Sequence, residues 1–124
     1  MPPEVLVVDE TPSLGSSVVA LLETEGVPVR RFADLHGAES YHARAGAPHP
    51  LVIVASNTHY CPSASRWALG DLRDAHLVVV GTRDPALRSA GRLHVVHLPL
   101  QPSGFLDLVR ELLPEPAAGT PRPG

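Results

Sequence analysis

The sequence predicts an α/β domain of three layers, an αβα sandwich built on a five-stranded parallel sheet of order 2-1-3-4-5. Three observations predict it. Five short apolar runs, Val5 to Val8, Val27 to Phe32, Leu51 to Val54, Leu77 to Val80 and Leu93 to Leu98, alternate with segments of helical period. The spacing between runs leaves room for crossovers of roughly a dozen residues or more, which join parallel strands and cover both faces of a sheet. Finally, VLVV, LVIV and LVVV are continuously apolar, as strands buried on both faces must be.

Each element follows in turn. Strand one runs into Asp9-Glu10, and the helix after it sets Leu14, Val18, Leu21 and Leu22 on one face before Glu25-Gly26 closes it with a C-cap glycine. Strand two, VPVRR, carries a proline and two arginines, which suit a sheet edge. A helix over Leu35 to Arg44 leads to strand three, which ends in Ala55-Ser56-Asn57, and a helix over Ala64 to Arg73 leads to strand four, which ends in Gly81-Thr82. A further helix is expected over Pro85 to Arg92. Strand five, LHVVHL, is mixed in character and takes the opposite edge, ending at Leu100-Gln101-Pro102. The last helix places Phe105, Val109, Leu112 and Leu113 on one face, with Ser103 expected to cap its start and Pro114 to stop it. Strands one, three and four are central in this order, and right-handed crossovers put the first and last helices on one face. The topological switch then lies between strands one and three, where open α/β sheets bind ligands beyond the carboxyl ends of their strands.

At 124 residues, with 44% hydrophobic content, the chain suits one domain over residues 1–113 followed by a Pro/Gly-rich tail, 114–124, expected to be disordered. A net charge of −3 offers no broad cationic field, so direct nucleic-acid binding is not expected. The apolar runs are far too short to span a bilayer, and Met-Pro-Pro-Glu is no signal peptide, so no membrane is expected and a cytoplasmic location is. Cys61 is the only cysteine, which excludes an internal disulfide and suits a reducing compartment. All ten basic residues are arginine.

The ordered set VLVVDE, LVIVASN, VVVGT and LPLQPSGF, spread over residues 4–113, resembles the receiver domain of bacterial two-component response regulators, a flavodoxin-like fold. In that family two acidic residues after strand one help hold Mg²⁺, an aspartate ending strand three accepts a phosphoryl group from a histidine kinase, a Thr or Ser ends strand four, and a lysine precedes a proline after strand five. The resemblance places Asp9 and Glu10 at the acidic pair, Thr82 at the hydroxyl position, Gln101 at the lysine, Asn57 where a backbone carbonyl completes the metal shell, and Ala55 at the acceptor. A methyl group is no nucleophile, and no Asp or Glu occurs between Ser40 and Gly70, so no shift of register restores one. With no lysine in the chain, no shift restores the ammonium either. Of the metal shell of Asp9, Glu10 and Asn57, weak or absent Mg²⁺ binding is expected, since one carboxylate and the phosphate oxygens are missing. Two adjacent carboxylates without a nearby cation are also expected to repel. Leu98 takes the strand-five place that in receivers is aromatic, and the loop NTHYCPSAS is remodelled.

Other constellations carry less. His59 and Cys61 form the nearest approach to a metal-ligand pair, but tetrahedral zinc needs three or four convergent ligands, and His94 and His97 fall on opposite sides of a strand. Cys61 lacks an identifiable base for thiol catalysis. The segment TPSLGSS suits phosphate contacts, but Asp9 and Glu10 beside it repel anions. The expectation is therefore a stand-alone pseudo-receiver without enzymatic activity or cofactor, a phosphorylation-independent signalling module. It would act on a protein partner, a histidine kinase or transcription regulator being the class the resemblance offers, with a homodimer as the other assembly. The alternative is a small-molecule or nucleotide binding module that uses the same crevice.

Overall fold

The computed structural model describes residues 3–113. The tail from Pro114, and with it the expected stop at that proline, lies outside the described residues. The elements run β1 (Val5–Asp9), α1 (Pro12–Thr24), β2 (Val29–Phe32), α2 (Leu35–Ala45), β3 (Leu51–Ala55), α3 (Pro62–Leu69), β4 (His76–Val80), β5 (Leu93–Val96) and α4 (Pro102–Leu112). The five strands form one all-parallel sheet in the order β2-β1-β3-β4-β5.

Burial follows from composition. β3 is buried at every position and β4 at all but its first, whereas β5 is half-exposed throughout and both arginines of β2 are exposed. Alternate residues of the central strands feed two cores. On one face Val5, Val7, Ile53 and Val78 meet Val18 and Leu22 of α1 and Phe105 and Val109 of α4. On the other, Leu6, Val8, Val54 and Val79 meet Leu35 and Ala38 of α2 and Ala64 and Trp67 of α3. The first and last helices therefore share a face, as right-handed crossovers require.

Helix ends follow local chemistry. Pro12, Pro62 and Pro102 open α1, α3 and α4, where the missing N–H costs nothing. Gly26 and Gly46 follow α1 and α2 in the left-handed region. The Asp34 side chain caps α2 by accepting from the Gly37 N–H at 2.8 Å.

Three expectations need correction. Residues 85–92 form no helix: Asp84 accepts the Ala86 N–H on its side chain at 3.0 Å and the Leu87 N–H on its carbonyl at 3.2 Å, and the chain then folds back so that Ala90 bridges Leu93 in antiparallel fashion. Leu87 is the one large apolar side chain in that segment, so a helix there had no stripe to bury and nothing to offset its nucleation cost. The third helix ends at Leu69 rather than Arg73, because Gly70 leaves the helical path and the following turn drops Leu72 and Ala75 into the core. The last helix starts from Gln101, with Pro102 in its first position and no side-chain cap, so Ser103 lies inside it and caps nothing.

Candidate functional site

At the carboxyl ends of the strands, β1 and β3 run in register with Asp9 opposite Ala55, and β3 and β4 with Ala55 opposite Val80. Backbone bonds tie the ends together: the Thr11 N–H donates to the Ala55 carbonyl at 2.9 Å, and the Ser56 N–H to the Val80 carbonyl at 3.0 Å. Ala55 is fully buried. The switch-point crevice thus has a methyl group at its floor.

Around that floor the polar groups are engaged with the protein itself. Asp9 pairs with Arg31 from the end of β2, and Arg31 also reaches Ser16 Oγ at 3.2 Å. Gly15 brings α1 so close to Asp9 that a Cβ at that position would overlap the carboxylate, whose Oδ1 is buried without a hydrogen-bond partner. Glu10 turns the other way and accepts from Ser63 Oγ at 2.6 Å, at the start of α3. The two acids therefore diverge, and Arg31 is the nearby cation whose absence the sequence reading assumed. Thr11 donates its hydroxyl to Asn57 Oδ1 at 3.2 Å and accepts the Asn57 N–H at 3.1 Å, which occupies its side chain and leaves α1 without a side-chain cap. Ser56 is buried and bonded through its hydroxyl to Thr58 at 2.9 Å.

Thr82 is buried and accepts the Asp84 N–H at 3.1 Å, serving the turn that replaces the expected helix. Gly81 has φ +88 and lies so near its neighbours that a Cβ there would come 2.6 Å from Leu14 Cδ2 and 3.5 Å from Leu98 Cδ1. Leu98 and His97, with Gly81, Thr82, Arg83, Asp84 and Pro85, line an open cleft of about 480 Å³. The resemblance places Gln101 in the acidic pocket with Asp9, Glu10 and Thr82, and Leu98 on strand five. Instead β5 ends at Val96, Leu98 flanks Gly81 from the loop beyond it, and Gln101 is exposed as the N-cap residue of α4. LPLQP holds two X-Pro steps, and the sequence alone does not distinguish the one beside Gly81 from the one that opens α4.

Asp9, Glu10 and Asn57 do not fit a magnesium ion as they stand. One carboxylate is held by a guanidinium, the other by a serine, and no cluster of three His, Cys, Asp or Glu side chains suited to a metal occurs among the described residues. Cys61 and His59 make no site together: Cys61 is buried at the start of α3, where burial first and the Glu10 carboxylate second push its thiol up, while His59 is exposed. Trp67 is a core residue that donates Nε1–H to the Ala75 carbonyl at 3.2 Å. Arg31 and Ser63 are not among the site residues expected from sequence, and Thr11 and Gly15 enter there only within TPSLGSS, as a phosphate-contact segment rather than as partners of Asn57 and Asp9. The one signal for Arg31 was its place at the carboxyl end of a strand beside β1.

No family model matches the sequence, and no curated protein matches it. Solved structures do. The receiver domain of a Pseudomonas aeruginosa sensor histidine kinase, solved with a magnesium ion coordinated in its active-site cleft, matches with a TM-score of 0.66 at 17% identity over 90% of this chain and 98% of that one. A response regulator from Thermotoga maritima gives 0.67 at 21% identity over 90% and 98%, and a response regulator receiver domain protein from Bacillus halodurans gives 0.68 at 17% over 93% and 100%. Each neighbour is matched over nearly its whole length, and on that ground the chain has the receiver fold.

Proposed function

We propose that the protein is a pseudo-receiver, a phosphorylation-independent signal-transduction module that acts by protein–protein interaction. The observation that carries this reading is Ala55: the position that ends β3 at the floor of the crevice is a buried methyl, and a covalent phosphoryl acceptor needs a nucleophile there. The surroundings agree. Leu98, not a cation, flanks Gly81, and Asp9 and Glu10 are bound to Arg31 and Ser63 rather than turned together toward an ion. Signalling then rests on surface recognition of a partner protein in the cytoplasm, with no reaction catalysed. A histidine kinase or transcription regulator is the partner class that the fold suggests.

A backbone amide NMR titration with Mg²⁺, then with Mg²⁺ plus beryllofluoride, tests this. Silence at Asp9, Ala55 and Thr82 is the expected result. Shifts that spread from the crevice into β5 would overturn the reading in favour of a ligand-binding module.

A further inference from the structure

The engagement of Asp9 has its own logic. β2 sets Arg31 opposite Val7, and Asp9 lies two residues beyond Val7 on the same face of β1, so the long guanidinium stem reaches diagonally along the sheet to the carboxylate. The side chain of Asp9 is 13% exposed and that of Arg31 is 40% exposed, so the pair is shielded on the acid's side and open to water on the arginine's. Ser16 of α1 holds the same guanidinium, and Gly15 lets the helix backbone close over the other carboxylate oxygen, which has no partner of its own. A carboxylate so enclosed, with an unpaired oxygen, is tolerated because a permanent positive charge stands beside it.

We infer that Arg31 is a resident cation of the acidic pocket: it neutralises Asp9 from within and keeps divalent cations from the place they would otherwise be drawn to. This deepens the pseudo-receiver reading and rests on it for the location of the pocket. Two effects exclude the ion. The guanidinium already occupies Asp9 Oδ2, and its charge repels a second cation approaching the same carboxylate. Arginine suits the role because its planar fork of N–H donors can hold the Asp9 carboxylate and the Ser16 hydroxyl at once.

The test is a manganese(II) titration of the full chain followed by paramagnetic broadening of backbone amides, comparing wild type with Arg31→Ala and Arg31→Lys. Arg31 is an exposed edge-strand residue, and the amide spectrum of each variant reports directly whether it is folded. In Arg31→Ala the amides of Asp9 to Thr11 should broaden at a manganese concentration at least tenfold below that needed in wild type. The lysine variant, which keeps a cation, should stay close to wild type, and Asp9→Asn added to Arg31→Ala should erase the gain. Equal broadening of wild type and Arg31→Ala at one concentration would overturn the inference, as would an Arg31→Ala protein as silent as wild type. The readout is a difference between variants, so it stands apart from the beryllofluoride response of the wild type, on which the functional reading itself depends.

Discussion

His49 is the most deeply buried imidazole of the described chain, its side chain 1% exposed, with Nδ1 2.7 Å from Nδ1 of His42 and Nε2 3.7 Å from Glu4. One shared proton satisfies both facing nitrogens; a second would set two N–H groups against each other. Burial first, then the charge of His42, holds His49 below the ordinary value of 6.5, and His76, 3.2 Å from His94, is lowered in the same way. The unfolded chain therefore takes up protons before the folded one. The stability these groups contribute is fully present above pH 6.5 and is lost as the pH falls below it. Urea midpoints should accordingly drop between pH 7.5 and pH 5.5, and His49→Gln should flatten that slope; an unchanged slope would remove His49 from the account. At Ala55 the same low-dielectric surroundings penalise charge. Ala55→Asp should cost on the order of 3 kcal/mol in urea unfolding at neutral pH, because the new carboxylate is buried opposite Asp9, whose own charge is already matched by Arg31. Individual side chains were legible from sequence where their chemistry is categorical, as at Ala55, and illegible where it depends on a partner, as with Asp9 and Arg31, whose meeting requires the register of β2 on β1 and not only their adjacency.

Among the elements, the strands were the most legible and the connections least. LVIV and LVVV read as buried strands because nothing polar interrupts them, and β2 read as an edge because of Pro28 and its arginines. The segment after β4 misled because Pro85 and Leu87 imitate a helix start, while what decides the outcome is the missing apolar stripe. That segment has a structural task of its own: Ser89 Oγ accepts the Val95 N–H at 2.8 Å, and Ala90 exchanges both backbone bonds with Leu93 at 2.9 Å each. Ser89→Ala should speed hydrogen exchange at Val95 and lower stability by about 0.5 to 1.5 kcal/mol, the net value of one hydrogen bond. Exchange no faster than wild type would show that water replaces the serine without loss.

For the molecule as a whole, the two cores are joined through shared strands, since β1, β3 and β4 send alternate residues to each. Neither face can loosen without disturbing the strands that line the other. Unfolding should therefore be one transition, with the fluorescence of Trp67, which reports the α2–α3 face, coinciding with the loss of far-UV circular dichroism. Two separated midpoints would mean that the faces unfold independently. Sheet order and layering were legible at this scale because five strands of known edge character leave few arrangements. The crevice was legible in position but not in content, since Leu14, Leu98 and Gly81 come together only through the fold.

The fold-back of residues 89–93 also governs how copies of the protein behave when crowded. Unsheltered sheet edges are templates for intermolecular strand addition, the first step toward fibres and precipitates. Here the β5 margin has its amides answered by Ser89 and Ala90, and the β2 margin is only four residues long and carries the long side chains of Arg30 and Arg31. Neither border invites a neighbour to extend the sheet. Concentrated solutions should therefore resist gelation, and a recognition event of high affinity has to engage side-chain surfaces rather than borrow a strand.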